Sequence, residues 1–312
     1  MSDDGVLAGI GNTPIVELRR IVPAGSARVL MKLEWANPTG SMKDRMARAA
    51  IEAAERDGSL QAGGTVVEYT SGTTGISLAL VCAAKGYGIE IVFSDAFSDE
   101  KRRTMEVYGA HITDVKSDNK NINAALIQEM IRTADEMSRR PGHWYCDQLR
   151  NHAAAGGYLP LGDEIWQQTE GEVTAFVQSV GTAHSIHGVT QSLWAKNRDV
   201  RIVAVEPAES AVLSGGSSGS HQIEGIGLGF VPPLWQPELV NEIETVSTAD
   251  AKAMARRLAR EEGIFAGTST GANLVAALRV AERLGSGTTV VTLAIDSGLR
   301  YLSTDVFAGS PR

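Results

Sequence analysis

The chain has 312 residues, 43% hydrophobic and 21% charged, with a net charge of −8. That length supports one large or two medium domains with a substantial core, and the acidic balance argues against a nucleic-acid partner and suits a protein that handles small molecules. No apolar run approaches the roughly 20 residues that cross a bilayer. The acidic opening "MSDDGVLAGIGNTP" lacks the basic and apolar regions of a signal peptide, so no membrane partner and a cytoplasmic location are expected.

In chain order, the first distinctive stretch is "NPTGSMKDR" (37–45). It puts Lys43 behind a Pro-Thr-Gly-Ser turn and ahead of a helical run. A solvated lysine needs no such setting. A lysine that bonds covalently to a cofactor does, because its amine has to be held at a fixed point. "GTVVEYT" (64–70) then predicts a strand, and "ISLALVCAAKGYG" a helix that stops at Gly86. "IEIVFS" (89–94) and "HITDVKS" (111–117) read as strands, each followed by a helical pattern, "DEKRRTMEVYGA" and "INAALIQEMIRTADEMSRR". "HWYCDQ" (143–148) precedes a helical stretch through "LGDEIWQQ". The strands "VTAFVQSV" (173–180), "RIVAVEP" (201–207) and "TTVVTLAI" (288–295) follow, with "SIHGVTQSLWAKN" as a helix between the first two. Alternation of this kind marks an α/β protein with mainly parallel sheets. The strands fall into two groups, divided near residue 150, which suggests two domains and a cleft. "LSGGSSGS" (213–220) reads as a surface loop. Cys82 and Cys146 lie in apolar segments without a CxxC pair or a Cys/His cluster, so buried reduced thiols are expected and metal binding is not.

Ligands of open α/β sheets bind at the carboxyl ends of strands. One such end here is "TSGTTG" (70–75), with hydroxyls at Thr70, Ser71, Thr73 and Thr74. A strand-to-helix turn needs one capping hydroxyl. Four of them at a helix N-terminus describe a nest for a carboxylate or phosphate. "GTAHSIHG" (181–188) is a second such loop. His184 and His187 are three apart within it, but no third metal ligand accompanies them. "EGIGLGFVPP" (224–233) is a poor nucleotide loop, because its prolines forbid an immediate helix, and a better glycine wall for a flat ligand. In "AIDSGLRYLST" (294–304), Ser297 on pattern alone reads as a cap of the next turn.

Taken in order, "GNTPIVEL", "KLEWANPTGSMKDR", "TSGTTG", "KGYGIEIVF", "EKRRTMEVYGA", "EGIGLGFVPP", "GIFAGTSTGANL" and "DSGLRYLST" resemble the cysteine synthase (O-acetylserine sulfhydrylase) and cystathionine β-synthase family of fold-type-II pyridoxal-phosphate enzymes. The resemblance covers nearly the whole chain. It implies two open, mainly parallel twisted sheets flanked by helices, as in the tryptophan synthase β-subunit. The implied domains are 1–148 and 149–312, with a mobile subdomain at about 88–137 and a segment, 13–35, that crosses to the second domain. It implies pyridoxal 5′-phosphate bound to Lys43, the catalytic residue, with Thr73, Gly181, Thr182, Ala183, His184, Ser185, Gly225, Gly227 and Ser297 around the cofactor. Ser297 would meet the pyridine nitrogen, and a neutral group there suits β-elimination and replacement over transamination. Thr70, Ser71, Thr73, Thr74 and Gln148 would hold the substrate carboxylate.

The implied reaction is β-replacement on an activated serine through an α-aminoacrylate, first of all cysteine synthesis from O-acetylserine and sulfide. Another β-substituted alanine synthase, a β-eliminating desulfhydrase or dehydratase, and a cofactor-binding protein without turnover are the alternatives. The partners implied are a small amino acid, a small nucleophile and a second copy of the chain in a homodimer. Three departures from the family pattern stand out. Thr73 replaces an asparagine in T-S-G-N-T-G. Gly181-Thr182-Ala183-His184-Ser185 replaces G-T-G-G-T, which puts bulk and a titratable ring beside the phosphate. The "NPAN" usual after the glutamine is missing after Gln148.

Overall fold

The computed structural model describes residues 5–119 and 124–307. The chain begins with two short strands, β1 (Ile15–Glu17) and β2 (Arg28–Leu33), then helix α1 (Lys43–Asp57). A β/α alternation follows: β3 (Thr65–Tyr69), α2 (Thr73–Lys85), β4 (Gly88–Ser94), α3 (Asp99–Val107), β5 (His111–Val115), α4 (Ala124–Ser138) and β6 (His143–Tyr145). The helix expected from residue 122 is described from 124 onward; residues 120–123, inside the expected 88–137 subdomain, lie outside the described residues, as do 1–4 of the acidic opening. After the short α5 (Ala153–Gly156) come α6 (Leu159–Gln168), β7 (Ala175–Ser179), α7 (His184–Trp194), β8 (Arg201–Pro207), β9 (Glu242–Val246), α8 (Thr248–Glu262), α9 (Thr268–Leu284) and β10 (Thr289–Ala294).

The strands form two sheets, one with order β5-β4-β3-β6 and one with order β1-β2-β10-β7-β8-β9. Every pairing is parallel except β1 with β2, where Ile15 faces Lys32 and Glu17 faces Leu30. This is the expected class of two mainly parallel sheets flanked by helices. The central strands are apolar along their whole length because a parallel sheet is covered on both faces; β7 and β10 are buried at every position. The N-terminal strands β1 and β2 join the second sheet, where β2 lies parallel to β10 with Val29 beside Val290. Helix α2 ends at Gly86, whose φ of 78° is the left-handed conformation that stops a helix at little cost to glycine.

Two buried clusters hold the molecule together. The larger includes Val66 and Ile91 of the four-stranded sheet, Met46 and Ile51 of α1, Ile186 and Val189 of α7, and Ile202 and Leu293 of the six-stranded sheet. It therefore fills the space between the sheets without a break. The smaller lies on the far face of the six-stranded sheet, under α8 and α9. Strand β9 and helices α8 and α9 are not among the elements expected from sequence. Helix α9 is buried on nearly every side over its first four turns, so it has no polar face to produce a helical period. Helix α8 did carry a readable start: the Ser247 side chain accepts the Asp250 N–H.

Candidate active site

Lys43 is the first residue of α1, and the turn before it is fixed by charges on the same helix. Asp44 is buried and accepts the Thr39 N–H at 2.8 Å, the Thr39 hydroxyl at 2.5 Å and the Ser77 hydroxyl of α2 at 2.6 Å. Arg300 donates to the Thr39 carbonyl from the other side. Arg45, also buried, binds Glu34 at 2.7 Å and Glu164 of α6 at 2.8 Å, and Lys32 of β2 reaches the same Glu164 at 2.7 Å. The lysine's backbone is thus anchored to α2, to α6 and, through Glu34, to the segment that follows β2. Its amine makes no hydrogen bond or ion pair with any described residue. Burial draws the Lys43 amine down to about 8, and the charge of Asp296 opposes this.

Lys43 lines a cavity of about 160 Å³ between the carboxyl ends of β3 and β7. Of the residues expected to bind substrate or cofactor, Ser71, Thr73, Thr74, Gln148, Gly181, Thr182, Gly225 and Gly227 line it, and Ser185 joins Lys43, Thr73 and Gly181 in a smaller adjoining recess. Helices α2 and α7 both start here, which brings N–H groups that have no partner within the helix to the cavity; at α2 the Thr70 hydroxyl takes those of Gly72 and Gly75, and those of Thr73 and Thr74 remain. The Thr74 hydroxyl donates to Gln148 Oε1 at 2.8 Å, while Gln148 Nε2 donates to the Tyr69 carbonyl at 2.9 Å. Behind them the buried Glu68 accepts the N–H groups of Gln148 and Tyr69, each at 3.0 Å. Burial holds its carboxyl well above the usual range.

Four expected site residues lie elsewhere. Thr70 is buried and lines neither hollow; its hydroxyl oxygen accepts the Gly72 N–H at 2.9 Å and so shapes the loop. Ala183 takes the left-handed conformation, φ 72°, as the residue before α7, and its side chain points away from the hollows into the core. His184 is buried behind the loop, where its Nδ1 lies 2.9 Å from the Thr182 hydroxyl and its Nε2 2.9 Å from the Asn151 carbonyl. A carbonyl requires a donor, so Nε2 carries the proton and Nδ1 accepts from Thr182. Burial, with Lys43 adding to it, draws the ring down to about 3. His184 therefore brings bulk but no charge. His187 is likewise engaged: it accepts the Gln236 N–H and stacks on Trp235.

Ser297 requires a correction. It lines neither hollow, and its hydroxyl accepts the Leu299 N–H at the start of a 3-10 turn, Gly298–Tyr301. The pattern reading as a turn cap describes its contact. Ser269, near the start of α9, is one of the hydroxyl residues that line the recess, which Asp296 and Tyr301 line as well. The signal for Ser269 is in "GIFAGTSTGANL", which carries the same kind of hydroxyl run at a helix start as the loops at 70–75 and 181–188. The loop read as surface, 213–220, also contributes, because Ser218 and Gly219 line the cavity together with His221 and Gln222.

A single lysine with a free amine, two helix N-termini and a glycine-faced wall fit a flat anionic cofactor. The wall is close: a Cβ on Gly181 would fall 2.5 Å from the Gly225 carbonyl. Comparisons with known proteins point to such a cofactor. A family model described as pyridoxal-phosphate dependent enzyme matches residues 6–296. A cysteine synthase from Staphylococcus aureus is 42% identical over 307 residues, covering 98% of this chain and 97% of its own. The cysteine synthase structure from Entamoeba histolytica superposes with a TM-score of 0.91 at 35% identity, covering 100% of this chain and 93% of that one. An O-ureido-L-serine synthase superposes with a TM-score of 0.93 at 36% identity, covering 100% and 97%.

Proposed function

Because this chain belongs to the pyridoxal-phosphate dependent enzyme family, we propose that it makes cysteine from O-acetylserine and sulfide, releasing acetate. The observation that carries the reading is the free Lys43 amine in a cavity onto which two helix N-termini open. The cofactor, when bound, supplies an electron sink for the charge that develops at the substrate's α-carbon.

The remaining work falls to the chain's own residues. Lys43 anchors the cofactor and, as a free amine, takes the α-proton; burial lowers its amine to about 8, which leaves a larger unprotonated share at neutral pH than an ordinary lysine has. The start of α7, with Gly181, Thr182 and Ser185, holds the phosphate. The start of α2, with Ser71, Thr73 and Thr74, holds the substrate carboxylate, and Gln148 has one amide hydrogen left for it. Gly225 and Gly227 form the wall against the ring, and Ser269, a neutral hydroxyl, takes the place first expected for Ser297.

Residues 88–137 move, in this reading, to close the cavity and exclude water. Two contacts of α3 support it. Lys101 is buried and pairs with Glu224, and the Ser303 hydroxyl meets Glu100 at 2.6 Å. The buried, unpaired thiols of Cys82 and Cys146 suit a reducing cytoplasm, and the family resemblance supports a homodimer, which sedimentation would measure.

The test is the visible absorbance of the purified holoenzyme. It should shift on adding O-acetylserine and return on adding sulfide as cysteine accumulates. Cofactor trapped on Lys43 by borohydride but indifferent to O-acetylserine would discard this substrate and point to another β-substituted alanine.

A further inference from the structure

Asp296 follows the end of β10 and is 2% exposed. Its Oδ2 accepts the Tyr301 hydroxyl at 2.7 Å, but its Oδ1 has no hydrogen-bond partner. A buried carboxylate oxygen without a partner is costly and calls for a reason. Oδ1 lies over the backbone at the start of α9, since a Cβ on Gly267 would fall 2.6 Å from it. Asp296 lines the same recess as Lys43. The other carboxylate there, Glu224, is already paired with Lys101. Lys43 for its part has no anionic partner, and the two side chains do not form an ion pair in this structure.

These two vacancies match. We propose that Asp296, held by Tyr301, is the counter-ion of Lys43 whenever the Lys43 amine carries a proton. A lysine that takes up the α-proton becomes an ammonium in a buried site, where a charge without a partner is disfavoured. Asp296 makes that protonated state accessible, and so sets how readily Lys43 accepts the proton and gives it up. It acts through Lys43 and is a positioning residue. The inference rests on Lys43 being the base of the proposed reaction.

Other groups facing the pair are few. Arg300 and Tyr301 act on Asp296 from its own turn, Lys101 from α3 and Glu224 from the cavity loop. Lys43 lies near the neutral His184. Burial raises the Asp296 carboxyl, while Arg300, Lys101 and the Tyr301 hydrogen bond oppose this. Removing a negative charge beside an amine lowers the amine's proton affinity.

The experiment follows acylation of Lys43 by acetic anhydride in the full chain freed of cofactor, across a pH range that brackets 8, with the modified peptide read by mass spectrometry. Asp296→Asn should move the midpoint to lower pH, so that Lys43 acylates severalfold faster on the acid side while the two curves converge on the alkaline side. Tyr301→Phe, which weakens the carboxylate but keeps it, should move the midpoint the same way by less. Superimposable curves for Asp296→Asn and the parent would overturn the proposal. If Asp296→Asn does not fold, the Tyr301→Phe curve decides alone, an unmoved midpoint counting against the counter-ion. Failure of the parent holoenzyme to carry cofactor on Lys43 after borohydride trapping would instead remove the functional reading beneath it.

Discussion

Gln148 shows how a site residue is held by others that never touch the ligand. Its backbone N–H is fixed by Glu68, its amide oxygen is taken by Thr74, and one amide hydrogen by Tyr69. The remaining hydrogen is therefore aimed rather than free. A hydrogen bond to a charged group is worth about 1.5–3 kcal/mol, so Gln148→Ala should raise KM for the amino acid about ten- to hundredfold, with a smaller change in kcat. Steady-state kinetics against O-acetylserine checks this, and an unchanged KM would remove Gln148 from the carboxylate site. Gly181 makes the opposite kind of contribution, by lacking a side chain. Its missing Cβ lets the α7 loop lie against the Gly225 carbonyl. Overpacking of this kind costs about 1–3 kcal/mol, so Gly181→Ala should weaken cofactor retention by about ten- to hundredfold, measured as the cofactor lost on dialysis.

At the level of elements, α1 is the part that carries the reactive amine, and its attachment is ionic. Arg45 joins it to Glu34, which follows β2, and to Glu164 on α6, with Lys32 completing the group. Burial disfavours the Glu164 carboxylate, but hydrogen bonds and charge from Arg45 and Lys32 overcome it and draw the group down to about 2 from the usual 4.5. A depressed carboxyl stabilises the fold above its unfolded value and loses that contribution as pH falls through the folded value. The thermal unfolding midpoint should therefore fall as the pH drops from about 4.5 toward about 2, and Glu164→Gln should flatten that slope; equal slopes would show that Glu164 is not the linked group. Arg45→Ala leaves the buried Glu34 without its ion-pair partner and Glu164 with Lys32 alone, and should cost about 3–5 kcal/mol in urea denaturation.

For the whole molecule, the larger core passes from the four-stranded to the six-stranded sheet through α1 and α7. Two sheets sharing one core should unfold together. Far-ultraviolet dichroism and tryptophan fluorescence of the cofactor-free chain should give one coincident urea transition; two separated transitions would mean that the sheets are independently stable. Helix α3 adds Met105 to this core and is also fastened to the second sheet's loops by Lys101–Glu224, by Ser303–Glu100 and by Lys101 lying 4.8 Å over the Tyr301 ring. If 88–137 is the closing unit, hydrogen exchange in α3 should slow when substrate is added to holoenzyme, and Glu224→Gln should abolish most of that protection.

Much of this was legible in the residues themselves. The apolar strands, the hydroxyl-rich loops after β3 and β7, the glycine wall and Lys43 behind its turn are local signals, because each depends on backbone geometry that neighbouring residues dictate. Pairings between distant segments are not local. That β2 pairs with β10 and β1 lies outside it, that Asp44 ties residue 39 to residue 77, and that Ser269 and Asp296 reach the recess while Ser297 turns to its own 3-10 helix were decided by tertiary packing. Adjacent residues at a strand end point to opposite sides, so a one-residue difference separates a group in the cavity wall from a cap. Only the folded chain determines which of the two it is.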